Sequence, residues 1–195
     1  MSDYTIIRRV SETLKNLLKE HFKGDPTLQN AVIDLGSPKE VGPATDVPHV
    51  SLWLYMVRRD PDRLNDLPRR LSTNQFAPQP LPLNLYYLVT PIAKDSIGEQ
   101  ILLGRVLQVF SDHARIVGTV QGISDLDPGD GELHINLEPL TLEEITRVWS
   151  ALQESYQLSV SYLVQTILVD SARQPMLMEP VLVKEAQFAQ IVRVD

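Results

Sequence analysis

Between Leu81 and His113 the hydrophobic period changes once, and that change decides what kind of fold the chain can make. From Leu83 to Thr90 the residues alternate: Leu83, Leu85, Tyr87 and Val89 share one face, while Asn84, Tyr86, Leu88 and Thr90 take the other. Bulk on both faces predicts a strand inside a covered sheet, because an antiparallel strand with one face in water alternates cleanly with polar residues. Pro80 and Pro82 lack the N–H that a ladder needs, so they are expected to mark the start of the strand, and Pro91 its end. Beyond it, Ser96 with Glu99 three residues later reads as a capping box. Ile97, Ile101, Leu102, Arg105, Val106, Val109 and Phe110 then follow at spacings of three and four. This predicts a helix of about four turns lying on the sheet made by the strand before it.

The remaining elements are read in the same way. Ile6, Ile7, Val10, Leu14, Leu17 and Leu18 trace one stripe of a helix from Thr5 to Phe22, with Ser2 or Asp3 placed to cap it and Gly24 to stop it. Ala31 to Leu35 reads as a short strand ended by Gly36-Ser37-Pro38. Val50 to Val57 is a second substantial strand, with Val50, Leu52, Leu54 and Met56 on one face and Ser51, Trp53, Tyr55 and Val57 on the other. Leu133 to Glu138 alternates as a half-exposed strand. Thr141 and Glu144 form another capping box, with Leu140 and Ile145 as a hydrophobic staple, and open a short helix to about Leu152. Leu158 to Val169 is the longest strand, and at ~3.3 Å per residue it reaches about 40 Å. Such a strand either bends at a bulge or runs past its own sheet and offers backbone to a neighbour. The tail from Met176 to Asp195 is apolar at first and alternates at its end.

Composition sets the outer bounds. The chain has 195 residues and no low-complexity stretch, which predicts one domain over residues 1–195. With 25 acidic against 18 basic residues and a net charge of −7, the surface as a whole should repel nucleic acid and anionic lipid. No run approaches the ~18 apolar residues of a membrane span. Asp3, Arg8, Arg9, Glu12 and Lys15 interrupt any apolar leader, so assembly is expected in the cytoplasm, with export only as part of a larger particle. The absence of cysteine excludes disulfides and thiolate metal sites.

Catalytic chemistry finds little support. His21, His49, His113 and His134 have no partner at metal-ligand spacing, and no GxGxxG, GxxxxGK[ST] or GxSxG motif is present. Ser111, Asp112 and His113 name a catalytic triad, but consecutive helical residues point about 100° apart and cannot converge. Asp125, Asp127, Asp130 and Glu132 invite a calcium-loop reading; the sixth and twelfth positions, Asp130 and Asn136, refuse it. Trp53 and Trp149 fall on apolar faces and read as core. No catalytic, cofactor or metal residue is therefore assigned. Arg58 to Pro80 shows no period and carries Arg58, Arg59, Arg63, Arg69 and Arg70 against Asp60, Asp62 and Asp66. Such a loop is usually just solvated. The alternative is a contact loop whose guanidinium groups pair with a partner's carboxylates, since about twenty residues without secondary structure need a reason.

Three blocks also carry a resemblance. PLPLNLYYLVTPIA through EQILLGRVLQVFSDHARI, then LTLEEITRVWSAL, then YQLSVSYLVQTILVDS, together with the N-terminal helix, resemble the cap or tail-terminator family of contractile injection systems over roughly Thr5 to Ser171. The resemblance implies a ring-forming α/β (α+β) domain with a central mixed or antiparallel twisted sheet flanked by about three helices. Such a homohexameric ring would stack on the inner tube protein and touch the sheath protein, with no enzymatic role, nucleic acid or membrane. Some members carry a further C-terminal domain, and functions tied to it are not carried over. In related sheaths, strands are donated between subunits. This implies pairing by Leu158 to Val169 or by the tail, with Val181, Val183, Phe188 and Ile191 as contacts beside Arg58, Arg59, Arg69 and Arg70. The competing class is a small ligand-binding or enzymatic α/β domain whose site leaves no linear trace.

Overall fold

The structure is a computed structural model and describes residues 4–44, 46–63, 65–67, 70–72, 74–118, 126 and 132–177. Its frame is a six-stranded mixed sheet in the order β1-β2-β5-β8-β7-β6, comprising β1 (Val32–Asp34), β2 (His49–Arg59), β5 (Leu81–Ile92), β6 (Arg115–Val117), β7 (Glu132–Glu138) and β8 (Val160–Val169). Only the β1–β2 pairing is parallel. A second sheet joins β3 (Arg70–Ser72), β4 (Gln75–Phe76) and β9 (Met176–Leu177). Among the described residues four helices accompany them: α1 (Ile6–Phe22), α2 (Pro38–Val41), α3 (Ser96–Asp112) and α4 (Leu142–Leu152).

The two-sided bulk of β5 is explained by its place. It lies in the middle of the sheet, and Leu85, Tyr87, Leu88 and Val89 are all buried. Leu83, Leu85, Tyr87 and Val89 face a core built with Val10, Leu14, Leu17 and Leu18 of α1 and Leu102, Val106, Val109 and Phe110 of α3. Deep in it, the Tyr87 hydroxyl sits 2.8 Å from Ser11 Oγ, and burial raises the Tyr87 pKa. Leu88, on the opposite face, packs under Ile145 and Trp149 of α4, and Trp149 Nε1 donates to Ser159 Oγ at 3.0 Å. Helices therefore cover one face fully and the other in part.

Several expectations need correction. Pro82 and Pro91 lie within β5 rather than outside it. The ladder tolerates Pro91 because it stands opposite Val50, whose own backbone turns towards β1, as the bond from Val32 N to Pro48 O at 2.9 Å shows. The donor that Pro91 lacks then falls on the β8 side, where pairing begins only at Val160 opposite Val89. The cap of α3 is Asp95, which accepts from Gly98 N at 2.7 Å, and not Ser96. Ile97 and Ile101 are 71% and 49% exposed, so the buried stripe runs through Leu102, Leu103, Val106, Val109 and Phe110 instead. At the start of α1, Thr5 makes no side-chain capping bond, and Ser2 and Asp3 lie outside the described residues. A fourth helix, α2, appears where a loop was expected, opened by a capping box between Ser37 and Glu40. The stretch from Arg58 to Pro80 is not wholly irregular, because β2 continues to Arg59 and β3 and β4 follow.

The capping box of α4 is formed as expected: Thr141 Oγ1 accepts from Glu144 N, and Glu144 Oε2 accepts from Thr141 N at 2.8 Å. These bonds to Thr141 hold the Glu144 carboxyl below the usual glutamate range, and those to Ser37 do the same for Glu40. A depressed carboxylate contributes stability above its unfolded value and loses it as the pH falls. Amide hydrogen exchange in the first turn of α4 should therefore accelerate, relative to its intrinsic rate, below about pH 4, and Glu144→Gln, which removes the carboxylate that accepts from Thr141 N and Oγ1, should abolish that pH dependence.

Candidate functional site

A six-stranded open sheet has two edges, and here they are unequal. β1 pairs only with His49, Val50 and Ser51 of β2. From Leu54 to Arg59 the outer side of β2 has no strand partner among the described residues. The alternation of the antiparallel ladder tells which groups face that side. Asp60 N donates to Pro82 O at 3.0 Å, so Asp60 bonds inward to β5, and Arg58 and Met56, opposite Asn84 and Tyr86, do likewise two and four residues earlier. Val57 and Arg59 then direct their amide and carbonyl outward. Leu54 does so too, because it keeps step with Val50 on the other side of a bulge. That bulge inserts Tyr55 between the Leu54–Tyr87 and Met56–Tyr86 pairs and reverses the alternation. Met56 therefore shares a face with Tyr86 and Val57 with Leu85, opposite to the simple alternation expected from the sequence.

Beside this edge lies the part of the sheet that α4 covers only partly, with Trp53 and Tyr55 packed against the cluster of Leu88, Ile145 and Trp149. It carries Trp53, Tyr55 and Tyr86, all half-buried, with the Tyr55 ring 6.1 Å from Trp53 and 6.3 Å from Tyr86. Tyr55 Oη lies 3.0 Å from Ser161 Oγ, and partial burial raises its pKa. Trp53 is thus not the fully enclosed core residue that its alternation suggested, whereas Trp149 is. A polar row follows: Arg58 opposite Asn84, then Gln165 and Asn136, whose Nδ2 donates to Gln165 Oε1 at 3.1 Å. Asn84 is buried, and its Oδ1 has no hydrogen-bond partner among the described residues.

The sequence-predicted contact residues separate. Arg58 and Arg59 are exposed at the end of β2, and Arg70 lies in β3, its Nε donating to Ser72 O at 3.0 Å. Arg63 is engaged by Asp66 at 3.0 Å. Arg69, Val181, Val183, Phe188 and Ile191 lie outside the described residues, as do Asp125, Asp127 and Asp130 of the rejected calcium loop. Of the two alternatives for Leu158 to Val169, the bulge holds and the free edge does not. β8 is flanked by β5 and β7, and it absorbs its length through a bulge between Val164 and Ile167. The chain beyond the ends of β5 and β8 pairs instead in the small sheet. β4 and β9 prolong the β5–β8 ladder past an open cleft of about 460 Å³ lined by Gln79, Leu81, Val169, Asp170 and Arg173. The outer edge of β2, which the sequence reading missed, leaves no compositional mark because openness is a property of the neighbours.

Among the described residues no group of three or more His, Asp or Glu is placed to hold a metal, and no helix is long and apolar enough to cross a membrane. His49 Nδ1 meets Asp34 Oδ2 at 2.9 Å and His134 Nε2 meets Glu132 Oε1 at 2.9 Å. His113 Nδ1 donates to Val109 O rather than meeting Ser111.

A mixed sheet with helices on its faces, its outer strand side left free, among the described residues, along β2 and at Asn136 to Glu138 of β7, is a fold shared with solved sheath/tube terminators. The structure superposes on a sheath/tube terminator of a PVC extracellular contractile injection system in the extended state, with a TM-score of 0.65 and 17% identity, covering 100% of this chain and 67% of that one. It also superposes on the tube-terminating cap of the anti-feeding prophage, with a TM-score of 0.55 and 15% identity, covering 96% and 62%. This chain belongs to the family described as the Pvc16 N-terminal domain, which matches residues 9–182. It spans about two thirds of the length of these solved relatives, and no curated protein matches it.

Proposed function

We propose that this chain is the structural cap, or tail terminator, that closes the baseplate-distal end of the inner tube and contractile sheath of a phage-tail-like contractile injection system. The observation that carries this reading is family membership over residues 9–182, joined to a fold shared with two terminators. Residues 1–195 act as one cap domain that forms a homohexameric ring, stacks on the tube protein and meets the sheath through strand edges. It is made in the cytoplasm, contacts neither nucleic acid nor membrane, and catalyses nothing. The outer edge of β2 is the receiving surface, because Leu54, Val57 and Arg59 hold backbone groups ready for an added strand. The tail with Val181, Val183, Phe188 and Ile191 is the donor.

Electron microscopy of particles made without the gene tests the reading: tubes and sheaths should lose their uniform length, and uniform particles would overturn it. A second test concerns charge. Replacing Arg58, Arg59, Arg69 and Arg70 by glutamate should reduce cap occupancy about tenfold or more, since a like charge facing an acidic partner removes at least one good ion pair. Normal occupancy in that variant would end the basic-contact assignment and leave the edge untouched.

A further inference from the structure

We infer that His21 and His113 form a two-histidine site for a divalent transition metal of the zinc class. The two residues are far apart in sequence, but α1 and α3 end together on the same face of the sheet, with His21 in the last turn of α1 and His113 as the C-cap of α3. Their ring centroids lie 4.5 Å apart with the planes at 63°. Each ring is anchored to the carbonyl four residues back, His21 Nδ1 to Leu17 O at 2.9 Å and His113 Nδ1 to Val109 O at 3.0 Å. A carbonyl oxygen only accepts, so the proton of each neutral ring sits on Nδ1 and each Nε2 carries a lone pair. Neither Nε2 has a hydrogen-bond partner among the described residues.

This is the state in which histidine ligates a metal: neutral, with the other ring N–H fixed by a carbonyl that sets tautomer and orientation. The separation comes close. A metal about 2 Å from both Nε2 atoms places the ring centroids about 4.5 Å apart at an angle near 90° and about 5 Å apart at the tetrahedral angle of zinc, so the pair needs to open by about half an ångström for zinc. Both rings are half-buried, so water can fill the remaining coordination positions. The nearby cation, Arg105, is turned to other work: Nη2 donates to His21 O at 2.9 Å and Nη1 to Gln108 Oε1 at 2.8 Å. Imidazole ligands suit zinc, copper and nickel and not magnesium. With two side-chain ligands the binding is micromolar, and it clamps the ends of the two helices that cover the core. The inference does not rest on the cap reading.

Thermal unfolding of the full chain, stripped of metal and then given about 0.1 mM zinc, should show Tm rise by about 3–6 °C, with no rise in magnesium. His21→Gln and His113→Gln keep an N–H able to reach the same carbonyls, so their metal-free Tm should stay near that of the parent while the zinc response disappears. Nitrogen-15 spectra of the parent's histidine rings give a readout independent of folding of the variants: zinc should move the Nε2 signals of His21 and His113 and leave those of His49 and His134. Absence of both the Tm rise and these ring shifts, or a zinc response unchanged in both variants, overturns the site.

Discussion

Val57→Pro combined with Arg59→Pro is expected to leave the chain folded and to lower its incorporation into capped particles tenfold or more. Arg58→Pro, between them, should damage the fold itself. The contrast follows from ladder parity. The amides of Val57 and Arg59 point out of the sheet, so proline removes donors that no described residue uses and puts a ring where an incoming strand would lie. The amide of Arg58 faces Asn84 inside the sheet, and losing it beside a buried amide side chain strikes the ladder directly. Two outward donors at about 1 kcal/mol each amount to more than a tenfold change in affinity. For Arg58→Pro a cost of about 3 kcal/mol lowers Tm by about 6–12 °C in a chain of this size. Circular dichroism melts, with cap occupancy counted in micrographs, separate the two. Full occupancy with Val57→Pro and Arg59→Pro combined would show that the outer edge of β2 receives nothing.

Phe110→Ala should cost about 3–5 kcal/mol and lower Tm by about 6–20 °C. Its ring is 1% exposed and stands edge-on to Tyr162, with centroids 4.8 Å apart, at the centre of the cluster that joins α1 and α3 to β5 and β8. Trp149→Ala makes a hole of similar size with a different outcome, because α4 packs through a separate, smaller cluster of Leu88, Ile145 and Trp149 rimmed by half-buried residues such as Trp53 and Tyr55. Hydrogen exchange should then show α4 losing protection while β5 and α3 keep theirs. Equal loss everywhere would mean that the two clusters melt as one.

Much of this architecture was legible in the sequence where a residue's own chemistry decides the outcome. The stripe of α1 through Ile6, Val10, Leu14 and Leu17, the box of Thr141 with Glu144, and the two-sided bulk of β5 are local facts that the fold obeys. Legibility failed where a neighbour decides. Apolar residues run more than halfway round α3, so period alone could not choose between the Ile97–Ile101 side and the Leu103–Phe110 side; the sheet chose. Pro91 is admitted to a central strand only because β8 starts late. Tyr55 looks like any alternating residue until a bulge is seen opposite Tyr86, and the open edge of β2 exists because β1 is three residues long. The histidine pair depends on two helices ending at one place, which no spacing records.

The small sheet has a mechanical consequence. β4 and β9 prolong β5 and β8, the two central strands, and not a strand at the rim. Tension applied to the small sheet therefore travels along the strand axes and shears many ladder bonds at once. The same pull on β1 or β6 would peel its bonds singly.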